Sequence, residues 1–107
     1  QVEESMSNLD YLYDGSTVEM KEAAGKCYER WDNMLNEIYS LLRHELSASV
    51  ADDLKNKQIQ WLKYRDKTAE NDASEYEGGT MYGLIYVDSL GMTTKERCYD
   101  LVNTYMK

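Results

Sequence analysis

The sequence predicts an all-α fold, an antiparallel bundle of three long helices spanning about 17–45, 50–77 and 81–106. Three observations predict it. The 107 residues contain no proline, the residue that breaks helix interiors. Apolar side chains recur at steps of three and four over most of the chain, the spacing that lines one face of a helix. Glycines and short polar stretches interrupt this pattern at few places, so connections are short and successive helices run antiparallel. A chain of this length forms one domain with a single modest core. That domain is assigned to 16–107, and 1–15 to a flexible or loosely docked N-terminal segment.

The first helix is expected to open at Ser16 or Thr17, because Ser16-Thr17-Val18-Glu19 fits a capping box. Met20, Ala24, Cys27, Trp31, Leu35, Ile38 and Leu42 form its apolar row. Leu46 to Ser49 make the turn, with Ser49 and Asp52 read as the cap of the second helix. That helix ends at Gly78-Gly79, since glycine accepts the left-handed conformation after a last turn. The third helix starts near Thr80 or Met81. Gly91 and Thr93 leave two forms open for it: one continuous helix, or a break near Gly91 with Thr93 or Thr94 capping a separate last helix. Continuity is preferred.

A net charge of −8 and a pI near 4.6 exclude nucleic acid and anionic lipid as main partners, because like charges repel. A basic partner is compatible, although surplus acid also serves plain solubility. No apolar run approaches the ~20 residues that a membrane span needs. The chain begins at Gln1 without an initiator Met, so it reads as a mature or trimmed chain, and an upstream targeting segment stays open.

Cys27 and Cys98 lack the clustering of a metal site. On a continuous third helix their levels differ by roughly 13 Å. A disulfide tolerates about 7 Å between Cα atoms, so free thiols are expected. His44, the only histidine, reads as a polar helix residue. Neither a metal nor a cofactor is expected.

The second helix carries an unusual row. Leu54, Gln58, Trp61 and Arg65 share one face, mixing an amide, an indole and a guanidinium where a plain core helix would carry Leu or Ile. Buried polar groups need partners. Measured from Ser47 at ~1.5 Å per residue, Arg65 falls level with Asp32, Trp61 with Asn36, and Gln58 with Tyr39. The reading is an Arg65–Asp32 ion pair, with Asn36, Tyr39, Gln58 and the Trp61 N–H hydrogen bonded beside it. Two roles are open for this network, a clasp that fixes helix pairing or a ligand site; the clasp is preferred.

These residues also fall in a recognisable order: Trp31-Asp32-x-x-Leu35-Asn36-x-x-Tyr39-x-x-Leu42, then Gln58-x-x-Trp61-x-x-Tyr64-Arg65-Asp66, then Glu77-Gly78-Gly79-Thr80, then Thr94-x-x-Arg97. Over about 20–106 the chain resembles the N-terminal domain of LprI-type lysozyme inhibitors, in the form found in Gram-positive bacteria behind a lipoprotein or secretion signal. The resemblance implies a small helical domain outside the cytoplasm, secreted or held by an upstream lipid anchor, with no catalytic residues or cofactor. Members tested for activity bind and inhibit lysozyme. The motif residues Trp31, Asp32, Leu35, Asn36, Tyr39, Gln58, Trp61, Arg65, Asp66, Gly78, Gly79, Thr94 and Arg97 are read as structural. Many relatives carry cysteines at the positions of Ala69 and Ser89, so a family disulfide does not carry over to this chain.

Two binding functions compete. One is an extracytoplasmic module that binds a lysozyme or another basic protein. The other is a structural or partner-docking domain of a bacterial envelope lipoprotein with a target other than lysozyme. Contact regions are expected at the tip, Leu46 to Val50, or at the acidic end, where Glu70, Asp72, Glu75 and Glu77 accompany Tyr76 and Tyr82. A solvated helix end is the plainer reading of the acidic end. An enzyme is not expected: Asp52 and Asp53 are adjacent and point apart on a helix, and no nucleophile–base set or phosphate-cradling loop appears.

Overall fold

The computed structural model describes residues 17–106. Among them α1 (Thr17–Glu45), α2 (Ala48–Ala73) and α3 (Met81–Tyr105) follow in order, with a 3-10 turn at Ser74–Tyr76 and no strand. The all-α, three-helix prediction holds. The expected Ser16 cap and the segment 1–15 lie outside the described residues.

The boundary between α1 and α2 differs from the expectation. Ser47, not Ser49, caps α2: its Oγ accepts from the Val50 N–H at 3.4 Å, and its backbone is extended as an N-cap requires. Ser49 lies inside the first turn. The correction shortens the connection to Leu46 and Ser47. At the other end α2 stops at Ala73 rather than running to 77, and its last turn tightens into the 3-10 segment. Gly78 then takes φ +81°, the left-handed conformation expected of it.

The third helix is continuous through Gly91. Glycine serves here as a close contact rather than a break: a Cβ at Gly91 would lie 3.4 Å from the Tyr28 Cα, so α1 and α3 cross almost backbone to backbone. Thr94 is fully buried, and its hydroxyl donates to the Leu90 carbonyl one turn back at 2.7 Å. It caps nothing.

Helix order in space departs most from expectation. The two-residue connection makes α1 and α2 antiparallel, yet they hardly approach one another. Instead α3 packs closely along α1 and also along α2, while α1 and α2 meet through long side chains. The core fills the half of the bundle near the α1–α2 connection. Trp31, Leu35, Ile38 and Leu42 from α1 meet Leu54 from α2 and Cys98 and Leu101 from α3. Leu42, Leu54 and Leu101 are almost wholly buried, each contributing about 1.5–3 kcal/mol by leaving water. The other half carries mostly smaller groups, with Ala23, Ala24, Ala69, Ala73, Ser89, Gly91 and Thr93 buried together with Leu84 and Leu90.

Candidate partner-binding groove

The polar row of α2 finds partners on both neighbouring helices. Arg65 reaches α1: its Nη1 lies 4.0 Å from Asp32 Oδ1, and its guanidinium sits 5.7 Å from the Tyr28 ring centroid. The same guanidinium lies 5.5 Å from the Trp61 ring, and its Nε donates to Asp66 Oδ1 at 3.1 Å. Burial raises the Tyr28 hydroxyl above its ordinary pKa, against the opposing pull of Arg65. The Arg65–Asp32 pair therefore forms at long range, inside an aromatic and cationic stack.

Gln58 turns the other way. Its buried Oε1 accepts from Arg97 Nε of α3 at 3.0 Å, and Arg97 Nη1 donates to Asp100 Oδ2 at 2.8 Å. The Arg97 guanidinium also lies 5.9 Å from the Trp61 ring. The expected hydrogen bonding of Asn36, Tyr39, Gln58 and the Trp61 N–H beside the Arg65–Asp32 pair is thereby corrected: Gln58 pairs with Arg97, Asn36 is exposed, Tyr39 packs on the core with Arg43 5.8 Å from its ring, and Trp61 offers its ring to the two guanidiniums. The physical reason is that α3, not α1, occupies this face of α2.

The remaining motif positions are scattered through the fold. Trp31 is buried beside Tyr99 at 5.9 Å, with Lys95 Nζ 5.7 Å from its ring. Leu35 is core. Asp66 is exposed, and the Gly79 N–H donates to the Tyr76 carbonyl in the turn after α2. Both cysteines are free thiols. Cys98 Sγ donates to the Trp31 carbonyl at 3.6 Å, and burial pushes its pKa up to about 11.

Beyond Arg65 the α2–α3 seam opens into a groove of about 640 Å³. Tyr64, Thr68, Asn71 and Asp72 of α2, with Glu75 and Tyr76 of the 3-10 turn, form one wall. Ile85, Asp88, Ser89, Met92, Thr93 and Glu96 form the α3 wall. Ser89 Oγ donates to Asp72 Oδ2 at 2.7 Å and ties the two walls together. This bond lies one turn from the fully buried Ala69.

Of the acidic-end residues named from the sequence, Asp72, Glu75 and Tyr76 line the groove, whereas Glu70, Glu77 and Tyr82 do not. Tyr82 stacks instead on Tyr86 at 6.0 Å. The α3 wall was missed. Its signal was the step of four from Asp88 to Met92 to Glu96, which puts two carboxylates on one helical face.

Within the groove, burial raises the Asp88 carboxyl above its ordinary value. Among the described residues none of Asp72, Glu75, Asp88 and Glu96 has a basic partner within 4 Å. The described residues contain no group of metal-ligating side chains and no helix long and apolar enough to cross a membrane.

Fold and site together define a small three-helix protein with an open, acidic, tyrosine-flanked groove. Residues 11–101 match the family model described as lysozyme inhibitor LprI, and the chain belongs to that family. No curated protein and no solved structure matches it.

Proposed function

We propose that the chain is an extracytoplasmic, non-catalytic binding module that inhibits a lysozyme by covering it. Family membership supports the lysozyme and a place outside the cytoplasm, as a secreted chain or behind a lipid anchor. The observation that carries the reading to the level of residues is the α2–α3 groove. It exposes four carboxylates without basic partners among the described residues, on a chain of net charge −8. Such a surface steers a basic protein into encounter and fixes its orientation. The Arg65 and Arg97 clusters act as structural clasps, since both guanidiniums are engaged within the bundle.

Turbidity of a bacterial cell-wall suspension treated with several lysozymes tests this. Micromolar chain is expected to slow at least one enzyme, and high salt to weaken the effect by screening. Unchanged lysis with every lysozyme contradicts the reading. It would leave a docking domain of an envelope lipoprotein with another basic target.

A further inference from the structure

We propose that the α2–α3 groove is a slot for one protruding arginine side chain of the basic partner. The inference rests on the binding reading above and names the group recognised. The walls combine two features that a guanidinium satisfies at once. Asp72, Glu75, Asp88 and Glu96 offer carboxylate oxygens from both helices. Between them stand apolar groups that remain uncovered, Tyr64 at 57%, Tyr76 at 39% and Met92 at 56% exposure.

A guanidinium accepts carboxylates through a planar fork of donors and stacks its face on aromatic rings, whereas an ammonium is a compact, strongly hydrated point charge. Arg65 and Arg97 already make this pairing inside the bundle, each against Trp61 and a carboxylate. The groove presents the same ingredients, carboxylates beside aromatic rings, to solvent. Its volume of about 640 Å³ admits a side chain together with part of the loop that carries it. The Ser89–Asp72 hydrogen bond holds the walls in place before the partner arrives.

Two measurements test the slot. In the first, a capped Gly-Arg-Gly peptide and its citrulline isostere are titrated into the chain, followed by the Met92 and Ile85 methyl resonances. The arginine peptide is expected to shift them and the uncharged isostere to leave them in place. Equal shifts with both peptides, or shifts confined to other regions, would overturn the slot.

In the second, affinity for an inhibited lysozyme is compared between two folded variants. Glu75→Gln/Asp88→Asn/Glu96→Gln empties the groove of three charges and spares Asp72, which holds Ser89. Glu29→Gln/Glu37→Gln/Asp52→Asn removes three exposed charges elsewhere. The groove variant is expected to bind at least tenfold more weakly and the control within twofold of the native chain. Equal affinity of the two variants overturns the slot and leaves the lysozyme reading intact. If no lysozyme is inhibited, the peptide titration still decides the slot.

Discussion

The two halves of the bundle are closed by different means. Near the α1–α2 connection, large apolar groups from all three helices interlock around Leu42, Leu54 and Leu101. At the far half most buried groups are small, with Leu84 and Leu90 beside them, and Gly91 lets α3 approach α1 closely at Tyr28. Hydrophobic burial scales with apolar area, so the first half supplies most of the stability. The second half gains rigidity from close approach but leaves carboxylates and tyrosines facing water in the groove. The main apolar core and the proposed recognition surface thus sit at opposite ends of the same helices.

The contrast breaks most visibly when volume is changed. Leu101→Ala is expected to cost about 2–5 kcal/mol in urea unfolding, the range for emptying a tightly packed leucine site. The far half should fail in the opposite direction. Gly91→Leu overfills the α1–α3 contact and is expected to cost about 1–3 kcal/mol. Gly91→Ala should stay within about 1 kcal/mol of the native chain, because its Cβ meets Tyr28 at van der Waals distance and alanine favours the helix. A large loss with alanine would show that the crossing is closer than described.

The clasps between the halves should rank next. Arg97→Met leaves the buried Gln58 carbonyl without its charged donor and is expected to cost about 1.5 kcal/mol. Arg65→Met should cost less, since its pair with Asp32 spans 4.0 Å and its short contact goes to the exposed Asp66. The reverse ranking in the same unfolding series would restore α1 as the main neighbour of this row.

The smallest effects are pH-dependent and separate the halves by where they act. Cys98 has its pKa raised from 9.0 to about 11, so the folded state favours the protonated thiol. That contribution is present below pH 9 and is lost as pH rises through about 11. Asp88 is likewise raised above 3.8, so its contribution is present at acid pH and is lost as pH rises above that value. Thermal unfolding of Asp88→Asn should show a slightly higher midpoint at pH 7 than the native chain and no gain at pH 3. Cys98→Ala should reduce the alkaline loss, the raised Tyr28 hydroxyl keeping its share, and leave the acid limb unchanged. A midpoint lowered at pH 7 in Asp88→Asn would mean that its carboxylate is paired.

Much of the fold was legible because helical periodicity reports which residues share a face. The row from Trp31 to Leu42 and the left-handed Gly78 are read directly from spacing and residue type. What periodicity omits is the identity of the neighbour. A short connection guaranteed that α1 and α2 run antiparallel, and level-matching then paired Gln58 with Tyr39. The structure places α3 on that face, and Arg97 reaches Gln58 from it. The Ser47 cap was missed because Ser47 and Ser49 are both good capping residues, and only the Val50 amide decides between them. The groove was half visible: Asp72, Glu75 and Tyr76 stood out as an acidic end, while Asp88 and Glu96 were hidden in an apolar-looking helix.

Hydrogen exchange of the chain, alone and with an equimolar lysozyme that it inhibits, tests the division of labour most directly. Slow exchange is expected in α1 and α3 around Leu42 and Leu101 in both states. Added protection on binding should be confined to 64–76 and 85–96. Protection appearing instead at the connection between α1 and α2, from Leu46 to Val50, would contradict it and move the binding surface to the opposite end of the bundle.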